Sequence, residues 1–288
     1  MIKTILVAAT GNDSDTAAFA AALTIAGPFA AHLDVLHVQL DPISVAVAMT
    51  TDAGGGALAA GLIQQLEQET RERERKAREI FAEFCAGAGL AVTSAPTSAS
   101  AAAPSAEWHV ETGEEPRWMT TYGVAADLIV TPRATGEAAV ARATLEAVLL
   151  ESGRPILIPA ASAMPPASAR IAIAWKPTPQ AARAVAAAMP FLARAREVVV
   201  ITVEEAADGR GEADRLVRHL VWHGVTATTL QLPPGPEGAA ATLLAGVGER
   251  ADLLVMGGFG HGRLREWVFG GFTERVLVDA PLPVLMAH

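Results

Sequence analysis

Cysteine is almost absent: Cys85 is the single one in 288 residues. A disulfide framework within the chain is thereby excluded, and a reducing compartment is the natural setting. Cys85 ends the helix-patterned run Ile80-Phe81-Ala82-Glu83-Phe84-Cys85 and reads as a buried structural thiol. Charge is also scarce, at 18% of residues, and unbalanced, with a formal net charge of −9. That excludes the broad basic face of a general nucleic-acid binder, although backbone amides can still hold a local anion. No run approaches the ~20 apolar residues of a membrane span. The opening run Met1 to Ala9 is strand-like and lacks the apolar centre and cleavage site of a secretory leader. A soluble cytoplasmic protein, with neither membrane nor nucleic acid as partner, is expected.

Catalytic patterns are missing too. There is no G-x-S-x-G elbow. The histidines His32, His37, His109, His219, His223, His261 and His288 are scattered, and only His219-x3-His223 has ligand-like spacing. On a helix that pair shares a face. Without a third ligand it reads as two ordinary polar positions, so no metal site and no catalytic set are assigned. Trp175 and Trp222 read as packing residues.

What is abundant is apolar sequence, 51% of the chain, much of it alanine that suits helices packed closely on a sheet. The length fits two domains, and the pattern is written twice. Ile2-Lys3-Thr4-Ile5-Leu6-Val7-Ala8 begins one copy and Ala169-Arg170-Ile171-Ala172-Ile173-Ala174-Trp175 the other. Each is followed by a polar break and an alanine-rich helix, Asp15 to Ala31 and Pro179 to Ala195. Second strands follow at Leu33–Val38 and Glu197–Val203, and third strands at Glu107–Glu111 and Thr226–Gln231. Ala126-Asp127-Leu128-Ile129-Val130 parallels Ala251-Asp252-Leu253-Leu254-Val255. Both halves close alike, at Pro155–Pro159 and Pro283–Ala287.

A repeat this long means two copies of one domain, 1–160 and 169–288, hinged through a stretch rich in Ala, Ser and Pro. Continuous Val/Ile/Leu runs alternating with helices predict parallel strands covered on both faces, five per half, in a doubly wound α/β sheet. The first half adds a long helix over Leu58–Ala88, whose Glu/Arg stretch gives it a solvated outer face. Its apolar heptad is not sustained, which weighs against a coiled coil. Asp52–Gly56 and Thr93–Pro104 read as low-complexity loops.

One stretch points to chemistry. Leu253-Leu254-Val255-Met256-Gly257-Gly258-Phe259-Gly260 is followed by nine residues and then Gly270-Gly271-Phe272-Thr273-Glu274. This reads as strand, glycine loop and helix (Phe272 to Val278). Glycines let backbone N–H groups approach an anion, and a helix N-terminus favours negative charge. Arg263 and Arg265 can add positive charge there, and His261 a hydrogen bond. Glycines after a buried strand also serve tight turns, so both readings stand.

Taken with the repeated units and closing strands, the G-x2-G-x9-G spacing resembles the universal stress protein family, in tandem, over nearly the whole chain. The resemblance implies an adenine nucleotide alpha hydrolase-like fold, with the closing strands pairing across a pseudo-dimer. It leaves room for homodimers and a further protein partner. It implies an adenine nucleotide (ATP, ADP or AMP) on the second half, with Gly257, Gly260 and Gly270 as phosphate loop. Val203 then stands at the second-strand end, and Ala174 and Trp175 at the first-strand end.

Two residues depart from that pattern. Gly271 stands where the family has a phosphate-binding hydroxyl, with Thr273 two residues on as a substitute. Lys176 stands where the family has an acid, which counts against a magnesium-assisted mode while adding a point charge for phosphate. The first half lacks the later glycines after Thr131-Pro132-Arg133, has Thr10 at the acidic position and Asp13 displaced, and reads as a degenerate copy. A stress-response or signalling role without enzymatic activity is implied. A nucleotide-independent scaffold is the alternative, and a slow nucleotide hydrolase the third reading.

Overall fold

The computed structural model describes residues 1–50, 56–96, 102–133, 139–160, 169–203, 209–258 and 271–288. The expected hinge and most of the two low-complexity loops lie outside them, as do Gly260, His261, Arg263, Arg265 and Gly270. The first half runs β1 (Thr4–Ala8), α1 (Ser14–Phe29), β2 (His32–Gln39), α2 (Pro42–Thr50), α3 (Gly56–Ala88), β3 (Ala91–Val92), β4 (Ser105–Thr112), α4 (Glu115–Gly123), β5 (Leu128–Val130), α5 (Ala139–Glu151) and β6 (Ile156–Ile158). The second runs β7 (Arg170–Ala174), α6 (Pro179–Leu192), β8 (Glu197–Val203), α7 (Gly209–Trp222), β9 (Thr228–Leu232), α8 (Ala239–Val247), β10 (Leu253–Gly257), α9 (Gly271–Asp279) and β11 (Val284–Ala287).

All these strands join one sheet in the order β3-β4-β2-β1-β5-β6-β11-β10-β7-β8-β9. Every pairing is parallel except the central one, where β6 and β11 run antiparallel with Leu157 opposite Leu285. The closing strands therefore fuse two doubly wound units into one sheet. The first contributes six strands rather than five, because the chain leaving α3 adds the two-residue edge strand β3 beside β4.

Alternation along each strand feeds two apolar layers. Ile5, Val7, Ile171, Ile173, Val198 and Val200 face one layer, with Phe19, Phe81, Ala184 and Leu216 from α1, α3, α6 and α7. Leu6, Ala8, Ala172, Val199 and Ile201 face the other, with Met119, Val148, Leu243 and Val276 from α4, α5, α8 and α9. On α3 the buried residues Ala77, Phe81 and Cys85 recur every four positions, leaving Arg71, Arg75 and their glutamate partners outside. Cys85 is buried as expected, and burial pushes its thiol pKa up. Trp222 does not pack: it is 90% exposed, because Ala213, Leu216 and Leu220 form the stripe that α7 buries.

The repeated Ala-Asp-Leu has a structural meaning. Asp127 accepts hydrogen bonds from the N–H groups of Lys3 and Thr4, and Asp252 from the N–H and guanidinium of Arg170. Each aspartate clips the start of its own first strand. Across the halves, the Arg133 guanidinium donates to the carbonyls of Pro159, Leu277 and Leu282, and Arg142 pairs with Glu274.

Candidate functional site

In each half the chain leaves its first strand in one direction along the sheet and returns on the other side. β7 thus lies between β8 and β10, and β1 between β2 and β5. Ligands of doubly wound sheets occupy the crevice at the carboxyl ends of the strands flanking such a switch point. In the second half Ala174 pairs with Met256, so the β7 exit at Trp175 and Lys176 stands beside Gly257 and Gly258 at the β10 exit. Val203 ends β8 one strand further along, where it pairs with Leu232. Gly271 and Thr273 lie in the first turn of α9, Gly271 exposed and Thr273 buried.

The glycines have packing duties. A Cβ on Gly257 would sit 2.5 Å from the Ala181 backbone nitrogen, so this glycine lets the N-terminus of α6 close on the β10 exit. A Cβ on Gly258 would meet Leu149 at 2.7 Å and Met286 at 3.0 Å, so that glycine serves the seam between the halves. Gly271 has open space around it. Thr178 caps α6 by accepting the Ala181 N–H at 3.2 Å. Lys176 is exposed. The indole N–H of Trp175 and the Oε1 of Gln180 are buried without a hydrogen-bond partner among the described residues.

The corresponding crevice of the first half is filled from within. Asp15, fully buried in the first turn of α1, accepts the Gly11 N–H at 2.7 Å, the Thr10 N–H at 2.9 Å and the Thr10 hydroxyl at 2.7 Å. These N–H groups are the kind an anion would use. Burial raises the Asp15 pKa, and those hydrogen bonds work against the rise. Glu115, whose carboxyl is also pushed up by burial and by the Asp15 charge, stands close by. The helix α3 crosses the strand ends: a Cβ on Gly11 would be 2.6 Å from the Arg73 carbonyl, and Glu74 accepts from Gln39 at the end of β2. Sequence reasoning weighed Thr10 and Asp13 here and passed over Asp15. The signal was available, since an acid in the first turn of a helix behind a Thr-Gly turn can reach back to that turn's N–H groups.

The fold defines a class: tandem, doubly wound α/β proteins with a switch point in each unit. The universal stress protein family model matches residues 235–288. That stretch includes β10, α9 and β11, and over it the chain is similar to the universal stress protein family. The "Universal stress protein in QAH/OAS sulfhydrylase 3'region" of Thermus aquaticus is 42% identical over 50 residues, 17% of this chain and 36% of that relative. The chain thus spans about a third of the length of that curated relative. A universal stress protein from Archaeoglobus fulgidus DSM 4304 shares the fold over 99% of this chain and 95% of its own, with a TM-score of 0.70 at 17% identity. A functionally unknown protein from Pseudomonas aeruginosa PAO1 does so over 99% and 92%, with a TM-score of 0.55 at 17% identity. Among the described residues no helix is long and apolar enough to cross a membrane.

Proposed function

We propose that this chain is a stress-response or signalling protein of the cytoplasm, built of domains 1–160 and 169–288, whose second domain binds an adenine nucleotide without turning it over. The observation that carries the reading is the asymmetry of the two switch points. Asp15 and α3 occupy the first, whereas at the second Gly257 and Gly258 stand at the β10 exit beside an exposed Lys176. Gly257, Gly260, Gly270 and Gly271 would face the phosphates with Lys176 as a point charge, and Thr273 would stand in for the family's hydroxyl. Ala174, Trp175 and Val203 would border the base and ribose. An exposed lysine at Lys176 in place of an acid suits a phosphate better than a magnesium ion. Bound nucleotide would favour one arrangement of the glycine segment and thereby a surface that a partner reads.

The rival reading, a nucleotide-independent scaffold, draws on Gly257 and Gly258, whose packing explains two glycines without any ligand. Calorimetric titration of nucleotide-stripped protein with ATP, ADP and AMP, with and without magnesium, separates the two. Saturable binding that Gly260→Val weakens supports the nucleotide site. No heat, or an affinity unchanged by that substitution, gives the scaffold reading the lead. Magnesium-dependent release of phosphate would instead mark a hydrolase.

A further inference from the structure

The edge of the first half carries a cluster that no motif announces. His32 and Asp34 stand two apart on β2, and Glu107 and His109 two apart on β4. The register sets His32 opposite Ser105 and Asp34 opposite Glu107, so all four side chains leave the same face of neighbouring strands. Asp34 Oδ1 lies 3.2 Å from His109 Nε2 and 3.6 Å from His32 Nε2, and His109 Nε2 lies 3.7 Å from Glu107 Oε2. Ligand atoms of His32, Asp34 and Glu107 all fall within 4.8 Å of one another. Each of the four side chains keeps between 22% and 28% of its surface exposed, enough for an ion to reach.

We propose that His32, Asp34, Glu107 and His109 form a binding site for a divalent first-row transition ion of the zinc type. Four N and O ligands about 2.0–2.1 Å from such an ion sit roughly 3.3–3.4 Å apart at the corners of a tetrahedron. The separations of 3.2, 3.6 and 3.7 Å among these atoms bracket that value, and His32, Asp34 and Glu107 already bring their ligand atoms within 4.8 Å of one another. The donor set of imidazoles and carboxylates suits zinc and its neighbours over magnesium or calcium.

Two further features fit a cation. Asp34 and Glu107 are paired directly across the strands, an arrangement of like charges that is unfavourable unless a positive charge sits between them. The second nitrogen of His32, Nδ1, lies 2.8 Å from the Ser105 hydroxyl, which fixes the ring with Nε2 toward Asp34, as outer-shell partners do for metal-bound imidazoles. Tyr122 packs on the His109 ring at 5.4 Å and donates its hydroxyl to Glu111, bracing the far side. The cluster lies toward the amino ends of β2 and β4, away from both switch points, so it is independent of the nucleotide reading.

The test is titration of chelator-stripped, full-length protein with zinc, followed by cobalt(II) read in the visible. The proposal predicts one ion per chain and the ligand-field bands of a four-coordinate nitrogen–oxygen site. His32→Ala and His109→Ala should each weaken binding by about tenfold or more, with Asp34→Asn and Glu107→Gln as shape-preserving variants should either alanine fail to fold. The pair His219→Ala/His223→Ala, whose rings stand 4.7 Å apart on the other half, should leave the affinity unchanged. Absence of saturable binding to the wild type overturns the proposal. So does binding that survives all four cluster substitutions, or that is lost with His219 and His223.

Discussion

Single residues in this chain act through close fits and buried carboxylates. Gly257→Ala should destabilise the protein by roughly 1–3 kcal/mol, because its Cβ would press on the α6 backbone rather than on a yielding side chain. Denaturant unfolding checks this, and an unchanged midpoint would reassign Gly257 to the ligand alone. Asp15→Ala should cost about 1–3 kcal/mol by leaving the N–H groups of Thr10 and Gly11 unmet, and Asp15→Asn less, since an amide oxygen can keep some of those bonds.

The two aspartates respond to pH with opposite sign. Arg170 holds the Asp252 pKa below the ordinary range, so the stability Asp252 contributes is complete above that range and lost as pH falls through the lower folded value. Asp15 has a raised folded pKa, so its contribution is largest at low pH and declines as pH rises through the folded value. Asp252→Asn should therefore flatten the acid side of the stability curve, by about 1 kcal/mol at most for a pair this exposed. Unfolding measured from pH 7 down to pH 3 reads it, and an unaltered acid slope would remove Asp252 as its source.

Elements are where the sequence was legible and where it stopped being so. The alternation of Ile5-Leu6-Val7-Ala8 and of Ile171-Ala172-Ile173-Ala174 states a strand buried on both faces, and the structure places successive residues in opposite layers. The long helix over Leu58–Ala88 was equally plain, but its course over Gly11 was not, since nothing in a four-residue apolar spacing names the surface it will cover. The acidic and imidazole cluster was hidden for a related reason. His32-x-Asp34 and Glu107-x-His109 lie 73 residues apart from Asp34 to Glu107, and only the strand register brings them opposite.

Helix ends followed the sequence to within a few residues. The end of α1 at Phe29 is set by Ala30, which takes the left-handed conformation at φ 47°, one that glycine adopts more readily. Ala30→Gly should stabilise the protein by about 0.5–1 kcal/mol, the relief of that strain less the entropy of glycine in the unfolded chain. A lowered melting temperature would contradict it.

The whole molecule is one sheet made from two similar units, held at the β6–β11 seam and by Arg133 reaching three carbonyls around it. Arg133→Met should cost on the order of 2–3 kcal/mol, with Lys recovering only part, since an ammonium cannot span three acceptors in a plane. Chemical unfolding of both variants reads this, and equal stability of wild type and Met would show the seam to be held by apolar packing alone.

The duplication also frames the proposed division of labour. One unit has closed its switch point with its own aspartate and an added helix, and the other retains the glycine run. That division can be tested directly by photo-crosslinking the intact chain with an azido-adenine nucleotide and mapping the labelled peptides. The account predicts label confined to residues 169–288, at about one nucleotide per chain and displaced by excess ATP. Label within residues 1–160, or none that ATP displaces, would contradict it.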